Sequence, residues 1–151
     1  MISSGFLSVL NEKVLTDNIP ILGICLGMQL FAKSSEEGKL PGLGWVNADT
    51  VRFRFDNDEC SRLKIPHMGW NLVSIKREGS LFSKNSEESR FYFVHSYHME
   101  CREERDVACS TYYGYEFPSA IQKGNILGVQ FHPEKSHKFG MQVLRNFVEN
   151  Y

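Results

Sequence analysis

The run Pro20-Ile21-Leu22-Gly23-Ile24-Cys25-Leu26-Gly27 decides the fold of this 151-residue chain. Its first half is a short apolar stretch, which is typical of a β-strand that is buried on both faces of a parallel sheet. Apolar residues at helical spacing precede it over residues 4–18 and follow it over residues 26–35. The order helix, buried strand, helix predicts an α/β fold with a parallel sheet.

The chain changes character after this first unit. Residues 50–55 alternate between apolar and polar side chains, which indicates a half-exposed strand. Further strands are predicted over residues 70–76, 90–95, 110–115, 120–122 and 126–131, and an amphipathic helix over 139–147. We expect the strands at 110–115 and 120–122 to pair across a turn that contains Pro118. The sequence therefore adds an antiparallel portion to the parallel sheet.

Composition and charge exclude several function classes. Lys and Arg total 17 against 18 Asp and Glu, so the net charge of −1 gives no electrostatic footprint for nucleic acid or for an anionic membrane. The chain contains no apolar run long enough to span a bilayer, and its first residues form no signal peptide. We expect a cytoplasmic protein with reduced thiols.

Cys25 stands in the pattern Gly23-Ile24-Cys25-Leu26-Gly27, between the buried strand and the next helix. This is a nucleophile elbow with sulfur in place of a hydroxyl oxygen. Glycines on both sides let the strand and the helix approach closely, and we expect the helix N-terminus to favour the thiolate. The alternative is a structural glycine-rich turn with an inert cysteine.

A cysteine nucleophile needs a base, and His132 is the histidine best placed to serve as one. It directly follows the apolar strand predicted over residues 126–131, so it reaches the same sheet edge as Cys25. Glu134, two residues later, can hydrogen-bond the imidazole and fix its tautomer. The alternative is that His132-Pro133-Glu134 is an ordinary turn.

Three blocks together resemble the class I (triad-type) glutamine amidotransferases: Gly23-Ile24-Cys25-Leu26-Gly27-Met28-Gln29, Val94-His95-Ser96-Tyr97 and Gly128-Val129-Gln130-Phe131-His132-Pro133-Glu134. Within that class, Pro66-His67-Met68-Gly69-Trp70-Asn71 resembles the glutaminase subunit of imidazole glycerol phosphate synthase. The resemblance implies one amidotransferase domain over residues 1–151, with a flavodoxin-like parallel sheet, flanking helices and an antiparallel portion.

The resemblance also implies residue roles. Cys25 would attack glutamine, His132 would act as acid and base, Glu134 would orient His132, and the Leu26 N–H would bind the oxyanion. The residues implied to bind or line the glutamine pocket are Gln29, Glu37, His95, Ser96 and Tyr97. The residues implied to face the partner are Pro66, His67, Met68, Trp70 and Asn71. No metal or organic cofactor is implied.

The segment before Cys25 departs from the family pattern. Relatives carry further N-terminal strands and a Pro-Gly-Val-Gly-like loop that supplies a second oxyanion donor, whereas Pro41-Gly42-Leu43-Gly44 stands after Cys25 here. We therefore expect an N-terminally truncated domain that lacks the first strands of the sheet. The cause would be a shortened reading frame, a fragment or an altered form of the protein.

The leading functional interpretation is a glutaminase subunit in a heterodimer with a (β/α)₈-barrel cyclase. It would hydrolyse L-glutamine and deliver ammonia for imidazole glycerol phosphate in histidine biosynthesis. One alternative is a paralogous subunit that feeds a sugar amidotransferase in surface-polysaccharide synthesis. Another is a non-catalytic module that binds the partner without hydrolysing glutamine.

Overall fold

The computed structural model describes residues 5–55, 63–82 and 89–151. Its helices are α1 (Phe6–Asn11), which continues into a π-helical turn (Glu12–Thr16), α2 (Leu26–Gln29) and α3 (His137–Asn150). Its strands are β1 (Ile21–Ile24), β2 (Ser34–Ser35), β3 (Ala48–Arg52), β4 (His67–Ile75), β5 (Ser89–His95), β6 (Tyr97–Cys101), β7 (Val107–Tyr112), β8 (Glu116–Lys123) and β9 (Ile126–Val129). Among the described helices, none is long and apolar enough to cross a membrane.

These strands form two sheets. Over the described ranges, a six-stranded sheet has the order β1-β9-β8-β7-β4-β5 and a three-stranded sheet has the order β2-β3-β6. In the larger sheet β1 and β9 are parallel, whereas the other neighbouring strands are antiparallel. The α/β class with an antiparallel portion is confirmed, and the mixed sheet places its parallel pair at one edge.

Two apolar clusters hold the elements together. One lies around the buried rings of Phe91, Phe117 and Phe131, with Phe139 and Phe147 of α3 packed against it. The other joins the first helical segment to the chain after β1, and its members include Val14, Met28, Phe31 and Trp45. The elbow between β1 and α2 therefore lies where these two clusters adjoin.

The pairing of β1 with β9 positions the site. Their register places Ile24 opposite Val129, and the Cys25 N–H donates to the Val129 carbonyl at 2.8 Å. Because the strands are parallel, the residues that follow each of them leave the sheet at the same edge. Cys25 and the segment that begins at Gln130 are therefore neighbours.

Two predictions about local structure are wrong. The helix expected over residues 26–35 ends at Gln29, because Ser34 and Ser35 pair with β3 and the Lys33 N–H donates to the Ala48 carbonyl. Pro118 is not in a turn but within β8, opposite Ser110, where the pairing with β7 shifts its register. Such an irregularity is where a strand can accept a residue without an N–H.

Further differences concern element bounds. The helix predicted over residues 4–18 covers α1 and the π-helical turn, and position 4 lies outside the described residues. Strands β2 and β6 were not predicted from the sequence; β6 pairs antiparallel with β3 and carries Tyr97. The remaining predicted strands and the closing helix are present with shifted ends.

Candidate active site

Cys25 has the backbone geometry of a nucleophile elbow. Its φ of 51° and ψ of −108° lie outside the regions that non-glycine residues ordinarily adopt. A Cβ at Gly23 would lie 2.6 Å from the Phe31 ring, so that position requires glycine, whereas a Cβ at Gly27 would meet nothing within 4 Å. The close approach of strand and helix therefore depends on the first glycine of the motif and not on the second.

The surroundings of the Cys25 sulfur favour the thiol in the free protein. Sγ lies 4.0 Å from the Val94 carbonyl oxygen and 3.6 Å from Nε2 of Gln130. Burial raises the pKa of the Cys25 thiol, although hydrogen bonds from the Leu26 N–H and from Gln130 act in the opposite direction. The Leu26 N–H at the start of α2 thus acts in the predicted direction, toward the thiolate, but burial has the larger effect on the pKa of the Cys25 thiol.

His132 and Glu134 form the predicted pair. Nδ1 of His132 lies 2.7 Å from Oε1 of Glu134, and a carboxylate can only accept, so Nδ1 carries the proton. The lone pair of the imidazole is therefore on Nε2, which is the atom that can take a proton from a nucleophile. The side chain of His132 is half-buried, whereas Glu134 is exposed to solvent.

Strand β5 holds both sides of the site. The His132 N–H donates to the Tyr92 carbonyl at 2.9 Å, and the Cys25 sulfur faces the Val94 carbonyl on the same strand. Residues two apart on a strand lie about 7 Å from each other along it. Cys25, from the end of β1, and His132, from beyond the end of β9, thus both lie against one short stretch of β5.

Ser136 fixes the backbone of the His132 segment. Its fully buried hydroxyl donates to the His132 carbonyl at 2.6 Å and accepts the Tyr92 N–H at 3.0 Å. Gly140 of α3 packs so closely on Pro133 that a Cβ there would collide with the Pro133 carbonyl. The turn after β9 is therefore held from two sides, by β5 and by α3.

The amide nitrogen of Gln29 makes hydrogen bonds within the chain. Nε2 donates to the Tyr97 carbonyl at 2.8 Å and to Oε1 of Gln130 at 3.0 Å. Both N–H groups are used, so the amide oxygen is the atom of Gln29 with which it can bind a ligand. Gln29 thus remains a candidate for the glutamine pocket, as an acceptor.

The other predicted pocket residues have different surroundings. Glu37 is exposed, and its charge acts to raise the pKa of the Cys25 thiol. The Ser96 carbonyl accepts the Phe53 N–H at 3.0 Å. Leu26 is exposed through its side chain, with its backbone N–H directed at the sulfur.

His95 is buried in a hydrogen-bonded chain rather than open to the pocket. Its Nδ1 lies 2.8 Å from the Tyr97 carbonyl, which can only accept, so Nε2 is free to accept from Nδ1 of His67 at 3.0 Å. Nε2 of His67 in turn accepts from Asn71 at 3.2 Å. Burial lowers the pKa of His95 to about 3 and that of His67 to about 4, so both are neutral.

The predicted partner-facing residues divide between the two faces of β4. Met68 and Trp70 point outward and are 62% and 46% exposed, Pro66 before the strand is also exposed, and Asn71 is half-buried and donates to the Tyr112 carbonyl. Leu72, which was not predicted, is exposed on the same face at 44%. His67 points inward and is 3% exposed. We name Met68, Trp70 and Leu72 the β4 stripe.

Gln130 and Ser136 are site residues that the sequence interpretation did not single out. Gln130 is a polar residue between the apolar Val129 and Phe131, directly after β9. A polar residue within an apolar run is the sequence signal that could have marked it. The segment Pro41-Gly42-Leu43-Gly44 supplies no donor to the site, because the N–H groups of its last three residues bond to carbonyls of residues 30–33. Within the described ranges, no group of His, Cys, Asp and Glu is arranged to hold a metal ion.

Comparisons with known proteins identify relatives of the chain. The sequence profile of the glutamine amidotransferase class-I family matches residues 4–151. The imidazole glycerol phosphate synthase subunit HisH 2 of Methanococcus maripaludis is 52% identical over 96% of this chain and 70% of its own length. The protein of the same name from Pseudomonas aeruginosa is 50% identical over 97% of this chain and 70% of its own length.

A solved structure shows the same fold at lower sequence identity. A glutamine amidotransferase from Thermotoga maritima superposes with a TM-score of 0.59 at 22% identity, covering 99% of this chain and 55% of that one. The chain thus spans little more than half of that protein. With a family profile that matches nearly its whole length and the Cys25, His132 and Glu134 geometry in place, the chain belongs to the class I glutamine amidotransferase family.

Proposed function

We propose that the chain is the glutaminase subunit of an imidazole glycerol phosphate synthase. It hydrolyses L-glutamine to glutamate and ammonia and delivers the ammonia to a cyclase subunit. The names of relatives at about half identity support the pathway. The geometry supports the reaction, because it holds a strained cysteine and a carboxylate-paired histidine against the same strand.

The observation that carries the proposal is that Cys25 and His132 both contact β5, two residues apart, at Val94 and Tyr92. A structural glycine-rich turn would not require a nucleophile-type φ at the cysteine, and an ordinary turn would not require the His132–Glu134 hydrogen bond at 2.7 Å. Cysteine, histidine and an orienting carboxylate are the groups that acyl transfer from an amide needs.

The first half of the reaction releases ammonia. Nε2 of His132 takes the thiol proton, and the Cys25 sulfur attacks the side-chain carbonyl carbon of glutamine. The carbonyl electron pair moves to oxygen, where the Leu26 N–H donates a hydrogen bond to the developing charge. When the C–N bond breaks, the His132 imidazolium gives its proton to the departing ammonia, and a thioester remains on Cys25.

The second half restores the cysteine. His132 takes a proton from a water molecule, and the resulting hydroxide attacks the thioester carbon. The C–S bond breaks, the sulfur recovers a proton from His132, and glutamate leaves. Glu134 accepts the Nδ1–H of His132 throughout, so it keeps Nε2 directed at the reacting atoms.

Recognition of glutamine uses groups beside the elbow. The amide oxygen of Gln29 can accept from the α-ammonium group, and Glu37 adds a negative charge that also acts on the Cys25 sulfur. The positively charged α-ammonium group of glutamine is attracted to both groups, whereas a glutamine analogue that lacks the amino group is not. We therefore assign Gln29 and Glu37 to the α-amino end of the substrate.

The cyclase subunit docks on the β4 stripe. Three large apolar side chains exposed on one strand face form the kind of anchor that protein interfaces use. The groove that includes Met68 is also lined by Leu63, Lys64, Ile65, Pro66 and Tyr113, so that mainly apolar surface with one lysine continues from the stripe. A (β/α)₈-barrel cyclase as partner, in a heterodimer, completes the proposal.

Replacement of Cys25 tests the glutaminase function. Glutamate release from glutamine is measured with the cyclase subunit present, for the wild type, Cys25→Ser and the matched control Cys101→Ala. We expect loss of about 10⁴-fold or more in Cys25→Ser, because the nucleophile is removed, and near-normal rates in the control. A wild-type chain that binds the cyclase but releases no glutamate would establish a non-catalytic module instead.

A further inference from the structure

Gln130 lies directly beside the nucleophile. It follows the last residue of β9, Val129, whose carbonyl accepts the Cys25 N–H, and its own N–H donates to the Ser119 carbonyl at 2.9 Å. Its side chain is 0% exposed. Backbone hydrogen bonds on both sides therefore fix where the amide group can reach.

The surroundings decide which way the Gln130 amide is turned. The Tyr97 carbonyl can only accept, so the atom of Gln29 that faces it must be the donor Nε2. The second N–H of that nitrogen points at Gln130, so Gln130 must present its oxygen there, at 3.0 Å. The remaining atom, Nε2 of Gln130, then faces the Cys25 sulfur at 3.6 Å.

An amide in this place is unusual among its neighbours. All four residues of β9 are buried, as is Phe131 after them, and an apolar side chain would fill the same space without a polar group to satisfy. Burial of an amide costs free energy unless its hydrogen bonds are made. One of the bonds that Gln130 makes is to the reacting atom itself.

We propose that Gln130 is a catalytic residue that stabilises the Cys25 thiolate by donating a hydrogen bond from Nε2 to Sγ. This inference rests on the proposed function. A hydrogen bond to a charged acceptor is about twice as strong as one to a neutral acceptor, so donation favours the thiolate over the thiol. It opposes Glu37 and Glu134, whose charges act on the sulfur in the other direction.

Tyr97 and Gln29 are positioning residues in this scheme. The Tyr97 carbonyl accepts a hydrogen bond from Nε2 of Gln29, and the same Nε2 donates to Oε1 of Gln130. Nε2 of Gln130 is thereby left to donate to the Cys25 sulfur. The same Gln29 is proposed to bind the substrate. The chain of hydrogen bonds thus connects the α-amino end of the pocket with the nucleophile.

The rate at which iodoacetamide labels Cys25 tests the proposal, because only the thiolate reacts. The full chain is labelled over a range of pH, and the peptide that contains Cys25 is followed by mass spectrometry. We expect Gln130→Met, which keeps the volume but cannot donate, to raise the apparent pKa of the Cys25 thiol by about one unit, or about tenfold slower labelling below that pKa. The control Gln122→Met makes the same change on β8, away from Cys25, and should leave the profile unchanged.

A second variant guards against loss of folding in Gln130→Met. Gln130→Glu keeps the shape and the acceptor for Gln29 but replaces the donor by a negative charge, so it should raise the thiol pKa further than Met does. Superposition of either folded variant on the wild-type labelling profile would overturn the proposal. The readout needs no glutamine turnover, so a wild type without glutaminase activity would refute the proposed function and leave this inference to be decided by labelling.

Discussion

Histidines in two regions of this molecule are put to opposite uses. At the sheet edge, His132 is half-buried and donates to the carboxylate of Glu134 at 2.7 Å. Behind β4 and β5, His67 and His95 bond to each other at 3.0 Å among aromatic rings that include Phe53. His132 thus pairs with a carboxylate, whereas burial keeps the rings of His67 and His95 uncharged.

The difference teaches that the surroundings of a histidine, its burial and its hydrogen-bond partner, decide what it does. A carboxylate stabilises the imidazolium that forms when His132 takes the cysteine proton. In the buried pair, burial lowers both pKa values well below 6.5, so His67 and His95 act as neutral hydrogen-bonding spacers. Variants that affect one region should therefore leave the property governed by the other intact.

The largest expected effect is at the sheet edge. His132→Ala removes the base, and we expect glutamine turnover to fall by roughly 10³-fold or more, while Glu134→Ala falls by less because it only orients the ring. Steady-state glutaminase assays with the cyclase subunit measure both, and thermal midpoints serve as the control. Near-normal rates in both variants would show that His132-Pro133-Glu134 is an ordinary turn without a catalytic role.

Acid should unfold the protein through the buried pair. His67 has a pKa of about 4 in the folded chain against 6.5 when unfolded, so the unfolded chain binds its proton first as the pH falls. Stability is then fully present above pH 6.5 and decreases through the window down to about pH 4, by on the order of 3 kcal/mol for His67. Urea denaturation at several pH values measures this.

A non-titrating variant provides the control for the acid effect. His67→Gln retains a donor and an acceptor but binds no proton, so its stability should depend less on pH between 7 and 4 than that of the wild type. Parallel pH curves for the two proteins would show that other groups, and not the buried histidine, govern the acid sensitivity.

The smallest expected effect separates the two faces of β4. Trp70→Ala, on the β4 stripe, should weaken cyclase binding about thirtyfold, or about 2 kcal/mol, with little change in the stability of the free subunit. Titration calorimetry gives the affinity, and thermal unfolding of the free subunit gives the stability. A large fall in the thermal midpoint with unchanged affinity would assign Trp70 to the core, through its contacts with Tyr92 and His137.

Local sequence patterns predicted the parts of the site that depend on strand ends. The apolar runs of β1 and β9 are short and continuous, and placing Cys25 and His132 at their ends followed from parallel pairing. The closing helix was visible for the same reason, since its apolar residues recur at helical spacing. These features depend on residues close together in the chain.

Features that depend on distant residues could not be predicted in this way. Gln130 acquires its role from Gln29, 101 positions away, and the inward turn of His67 depends on His95 on the neighbouring strand. The helix after the elbow is cut short because β3 takes its backbone partners. In each case a long-range hydrogen bond outweighs the local preference.

The backbone angle of Cys25 has a consequence for how this position evolves. A φ of 51° with ψ of −108° costs a non-glycine residue about 1–3 kcal/mol, and glycine would adopt it with far less strain. Selection for a stable fold alone would therefore replace the cysteine by glycine. Cysteine at this position therefore trades stability for reactivity.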